Sequence, residues 1–191
     1  MNSARTLSDR FRTQRTDRIR VDGVEVLSLV ELDVDVDEIV EVLIESARSD
    51  VNQALNLRSS DGGLVELSHQ PTPADDFDHD EGLGYELVTV LASHEQRIEV
   101  ASAGLSPRSL QLWNSWLMGD APHSWTGNSG IVTEELDVPP GATSRVRLWC
   151  SDGLGDPQFD DLVAIVTVGK SPTRRHGSVH PAPTADGLEE E

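Results

Sequence analysis

The chain has 191 residues, 37% of them apolar, a formal net charge of -19 and one lysine, Lys170. That length fits one domain with tails, and the apolar content lies above that of a chain too polar to fold. The single cysteine, Cys150, excludes a disulfide framework and a cysteine-rich zinc site. No apolar run reaches the roughly 20 residues of a membrane-spanning helix, and no hydrophobic stretch of a secretory signal follows the N-terminal charges.

In chain order, residues 1–20 form a basic segment with six arginines (Arg5, Arg10, Arg12, Arg15, Arg18 and Arg20) against two aspartates, a net of +4. The remaining residues carry nine basic and 32 acidic side chains, a net of -23. A basic arm on an acidic body is a partner-contact asymmetry. The expected partner is an acidic protein neighbour. Nucleic acid is the lesser expectation, because concentrated salt steeply weakens phosphate contacts. The segment also reads as an amphipathic first helix with Leu7 and Phe11 on one face.

Residues 21–170 read as β structure. From Val24 to Ile44 the even positions are almost all apolar, whereas the odd ones include Glu25, Glu31, Asp33, Asp35, Asp37, Glu41 and Glu45. Period-two alternation buries one set and leaves the carboxylates in water. The stretch exceeds one ordinary strand, so a bend near Asp35–Glu38 is expected. Residues 37–48 also fit a helix through Ile39, Val40, Leu43 and Ile44, while their β-branched content favours a strand. Further strands are expected at Val51–Leu57, Leu64–Ser68, Tyr85–Ala92, Gln96–Ala101, Ser109–Trp113, Gly130–Val138, Ser144–Cys150 and Leu162–Val168. Turn signals at Ser60-Asp61-Gly62-Gly63, Pro139-Pro140-Gly141 and Asp152-Gly153 separate many of them. Residues 70–83 read as a Pro- and Asp-rich loop, and residues 171–191 as a Pro-rich acidic tail. The expected fold is mainly β: a β-sandwich or jelly roll with an extended N-terminal arm and a C-terminal tail.

Motifs for chemistry are sparse. Asp76, Asp78 and Asp80 have the alternating spacing that opens an EF-hand loop, but Glu81 and Leu87 stand where that loop needs Gly and Glu. A looser structural calcium or magnesium site there, or at Asp152, Asp156, Asp160 and Asp161, competes with ordinary acidic surface. The six histidines lack the spacing of zinc hydrolases. Gly127-Asn128-Ser129-Gly130 lacks the Gly-x-Ser-x-Gly elbow and reads as a loop between strands. No catalytic residue is assigned, and no cofactor beyond that metal is expected. Four tryptophans, Trp113, Trp116, Trp125 and Trp149, fall close together among only eight aromatics. Trp113, Trp116 and Trp125 are candidate partner or glycan contacts, since Trp buries much area at low entropic cost. Trp149 and Cys150 are expected to be core strand residues.

Two resemblances follow from these residues. The excess of Asp and Glu, Arg in nearly all basic positions and the near-absence of Lys resemble proteins of haloarchaea and of the viruses that infect them. Such a surface suits molar salt, where the Debye length falls to about 3 Å and self-repulsion is screened. The segment from Leu136 through Pro139-Pro140-Gly141 to Leu148, leading on to Phe159-Asp160-Asp161-Leu162, resembles the closing hairpin of galactose-binding-like jelly rolls. That likeness implies a carbohydrate-binding-module fold with Asp160 or Asp161 near a structural calcium. The expected function is a non-enzymatic structural protein of a haloarchaeal tailed-virus particle: a capsid accessory, turret, connector or tail component in a homo- or hetero-oligomer. The alternatives are a glycan-binding or adhesion module, then an enzyme of unassigned chemistry. The expected location is the virion or the cytoplasm of a high-salt cell, without membrane contact.

Overall fold

The computed structural model describes residues 5–35, 38–60, 65–69, 84–85, 87–92, 97–102, 108–118 and 121–170. Among the described residues one helix, α1 (Leu7–Gln14), precedes fourteen strands. These are β1 (Arg18–Val21), β2 (Val24–Leu27), β3 (Val30–Val34), β4 (Glu38–Ala47), β5 (Gln53–Ser59), β6 (Val65–His69) and β7 (Gly84–Tyr85). They continue as β8 (Val88–Leu91), β9 (Arg97–Ser102), β10 (Arg108–Met118), β11 (Ala121–His123), β12 (Asn128–Glu135), β13 (Ala142–Gly153) and β14 (Leu162–Lys170).

The larger sheet runs β1-β2-β12-β13-β14-β4-β9-β6-β7. The smaller runs β11-β10-β5-β8, with β3 also paired to β10. Every pairing is antiparallel. The mainly β fold expected from the sequence is therefore present as two packed antiparallel sheets, a β-sandwich arrangement.

The period-two pattern explains the packing. In β4 the even residues Val40, Val42 and Ile44 are buried, while Ile39, Glu41 and Leu43 are only partly covered. They join Leu148 and Cys150 of β13 and Leu162, Ala164, Val166 and Val168 of β14 in one core. The smaller sheet supplies Val30, Leu55, Leu57, Val88, Val90, Leu110 and Leu112 to the same core. Residues 38–47 are thus strand, settling the helix alternative. The expected bend lies where the chain leaves β3 in one sheet for β4 in the other. Its ends are tied by Glu38 N–H to the Asp35 carbonyl (3.1 Å) and by Asp35 N–H to Glu38 Oε2 (2.9 Å).

Residues 5–20 of the basic segment are folded, not extended, and take the amphipathic-helix alternative. Thr6 caps α1 by accepting from the Asp9 N–H at 3.3 Å. Arg15 closes the helix in the left-handed region at φ 52°. Asp22 and Gly23, with φ of 50° and 87°, turn β1 into β2, a two-residue hairpin suited to Asp-Gly. Leu7 and Phe11 then pack with Ile19 and Val26 in a second buried cluster, against Val132 and Phe159. Val26 and Val132 alternate with Leu27 and Ile131 of the main core, so α1 covers the outer face of the larger sheet.

Candidate functional site

The site candidates fall on three places. The first is the docked basic module. The Gly127–Gly130 segment is its socket: Ser8 N–H donates to the Gly127 carbonyl (3.0 Å), and Leu7 N–H donates to Asn128 Oδ1 (3.1 Å). A Cβ on Gly130 would meet Val26 Cγ1 at 2.7 Å and Leu7 Cδ1 at 3.2 Å, so only glycine lets Leu7 approach this closely. Ser129, expected in a loop between strands, is instead a buried residue of β12.

Docking fixes where the arginines point. Arg5, Arg12, Arg15, Arg18 and Arg20 are exposed and Arg10 is half-buried. Arg10 is held by its bond to the Arg20 carbonyl, at 2.6 Å. Arg12 meets Asp9 at 3.3 Å and Arg18 meets Glu25 at 3.1 Å. Both are solvent-facing pairs of the kind that contribute little to stability.

The second place is the tryptophan group, which the fold divides. Trp113 and Trp116 have opposite parity in β10, so they lie on opposite faces of the smaller sheet. The expected partly exposed patch does not form at these two residues, which are 7% and 2% exposed. Trp116 faces the core side and stacks on His123 at 6.2 Å. Trp113 faces outward and is capped by Trp125, with ring centroids 5.2 Å apart and planes inclined by 28°. The Arg58 guanidinium sits 5.5 Å from the Trp113 ring and donates to Gln111 Oε1 at 2.8 Å. Trp125 remains 45% exposed. Its backbone has φ 54°, unusual for a bulky side chain, and its indole N–H donates to the Ser28 carbonyl at 3.0 Å.

Trp149 departs from the expected core position. It shares the outer face of β13 with Arg147, alternating with buried Leu148 and Cys150. Its indole donates to Glu134 (3.2 Å), and Arg147 lies 5.6 Å from its ring while pairing with Glu45 (2.8 Å) and Glu134 (2.9 Å). Hydrogen bonds from Arg147 and then Trp149 hold the Glu134 carboxyl below its ordinary range. Cys150 is a buried strand residue as expected, and burial drives its thiol far above the ordinary value, away from nucleophilic use.

The third place is a buried charge centre that the sequence reading did not assemble. Arg48, just beyond β4, donates from Nη1 to Asp152 Oδ2 (2.9 Å) and Asp161 Oδ1 (3.2 Å). Its Nε and Nη2 grip Asp50 at 2.7 Å each. Asp152 is fully buried and also accepts from Gln53 Nε2 of the opposite sheet at 2.9 Å. The second oxygen of Asp161 accepts from the Asp152 N–H at 3.0 Å. The Asp50 bond, then the facing carboxylates, raises the Arg48 value, and the same bond holds Asp50 below the usual carboxylate range. Burial comes first at Asp161 and lifts its carboxyl above 3.8 despite Arg48.

This geometry bears on the metal candidates. Both oxygens of Asp161 are engaged by protein donors, and Asp160 is exposed. Among the described residues no three His, Cys, Asp or Glu side chains converge as a ligand set. Asp76, Asp78 and Asp80, like residues 171–191, lie outside the described residues. No described helix is long and apolar enough to cross a membrane. Compared with known proteins, the chain matches no family model, no curated protein and no solved structure.

Proposed function

We propose that this chain is a non-enzymatic assembly protein of a haloarchaeal tailed-virus particle, of the capsid accessory, turret, connector or tail kind. The observation that carries the reading is the docked basic module. Five exposed arginines lie on or beside a helix and a hairpin fastened to the sandwich, in a chain whose residues after position 20 sum to -23. Lysine depletion supports the high-salt setting. In molar salt only groups in contact attract appreciably, because the Debye length is about 3 Å. Arginine suits such contacts, since its planar fork meets a carboxylate through two hydrogen bonds. The partner of matching chemistry is the acidic surface of another copy or of a neighbouring virion protein. A basic face meeting a different, acidic face is a heterologous contact, which closes into rings or propagates.

The test keeps the module folded. Arg5, Arg12, Arg15, Arg18 and Arg20 are changed together to Gln, leaving Leu7 and Phe11 in place, and molar mass is measured by light scattering in molar KCl. The native chain should form a defined oligomer, or join one with its neighbouring virion proteins, and the Gln variant should not. A native chain that stays monomeric with and without those neighbours overturns the reading, as does an oligomer indifferent to the five changes.

A further inference from the structure

We propose that the open face of Trp125 is a stacking platform for a neutral hexopyranose of a glycan, with Arg58 as its hydrogen-bonding neighbour. The inference is independent of the assembly reading. Trp125 is fixed at three points: its ring lies on Trp113, its indole N–H is bonded to the Ser28 carbonyl, and its backbone occupies the left-handed region. A bulky residue persists there only when its surroundings over-determine it, and such residues gather at ligand sites. One indole face is covered by Trp113, while the residue as a whole keeps 45% exposure. A large apolar ring is therefore held rigid and presented to water, so a ligand meets it without ordering it first.

The neighbours select the ligand. A protein hot spot of this kind belongs to a patch of about 800 Å² per partner with an apolar centre. Around the Trp113–Trp125 pair, the register of β3, β10, β5 and β8 instead places Glu31, Gln111, Arg58 and Thr89 on the same outer face. These offer the mixed donors and acceptors that sugar hydroxyls need, while the C–H face of a pyranose supplies apolar area for the indole. Glu31 and the net charge of -19 disfavour an anionic sugar.

The test titrates the intact chain in molar KCl with cellohexaose, chitohexaose and mannohexaose, with hexagalacturonate as the anionic comparator. The readouts are the indole N–H resonances and calorimetry. At least one neutral hexaose should shift the Trp125 resonance saturably. Trp125→Ala should weaken binding at least about tenfold and Trp125→Phe should keep most of it, with thermal midpoints confirming folding. Arg58→Ala, which leaves the indole pair in place, should weaken binding about threefold. The proposal is overturned if no neutral hexaose moves that resonance, if only hexagalacturonate binds, or if folded Trp125→Ala binds like the native chain.

Discussion

Arg48 and the arginines of the N-terminal module are the same residue put to opposite uses. Arg48 has its donors taken up by three carboxylates, two of them buried. Five of the module's six arginines stand in water, and the two that form ion pairs do so with half-buried Asp9 and exposed Glu25. The difference teaches where charge acts in a chain this acidic. In the interior an arginine secures carboxylates that would otherwise be stranded, and salt screens such a pair far less than a surface one. On the surface it changes what the molecule meets, with little effect on whether it folds.

Arg48→Ala should break this contrast most severely. It strands Asp152 and Asp161, and loss of one partner of a buried pair costs about 3–5 kcal/mol. Urea denaturation should record that loss, and a change under about 1 kcal/mol would show that water already relieves the site. Phe11→Ala comes next. It empties the contact between α1 and the larger sheet and should cost about 3 kcal/mol, with limited proteolysis then cutting first within residues 5–20. If the segment stays resistant, the hydrogen bonds to Gly127 and Asn128 suffice to hold it.

A finer probe is Asp161→Asn. Burial raises the Asp161 carboxyl above 3.8, so just above that pH the folded chain keeps a proton the unfolded chain has lost. This group therefore makes stability fall as pH rises through that window. Asp50 has the opposite sign: its lowered value adds stability above 3.8 that is lost as pH drops. Removing the Asp161 contribution should make the thermal midpoint climb more steeply with pH above 3.8. An unchanged slope would place the proton elsewhere. The five-arginine Gln variant sits at the small end for folding, within about 1 kcal/mol of native, since its pairs are exposed. Its oligomeric state, not its stability, should respond.

Much of the strand pattern was legible because burial on one face imposes period two on the local sequence. Val40, Val42 and Ile44 show it within β4, and the bend expected near Asp35–Glu38 is the crossing between sheets. Trp149 was expected in the core as a large apolar residue, but period two between buried Leu148 and Cys150 turns it outward, where Arg147 and Glu134 meet the indole. Asp22-Gly23 was a readable hairpin signal, and it would have converted the arm into a folded edge. Trp113 and Trp116 were grouped by proximity in sequence, whereas their parity separates them.

Sequence alone determined the acidic, arginine-dominated surface, the strand content and which side of most strands is buried, because each is set by composition or by neighbours two residues apart. Tertiary structure alone decided which distant residues meet. Arg48 reaches Asp152 and Asp161 across 104 and 113 positions, and Trp125 caps Trp113 from beyond the end of its strand. A period in the chain says which side chains leave water. It carries no record of the strand across the core that receives them, and that pairing fixes both the buried charge centre and the exposed indole.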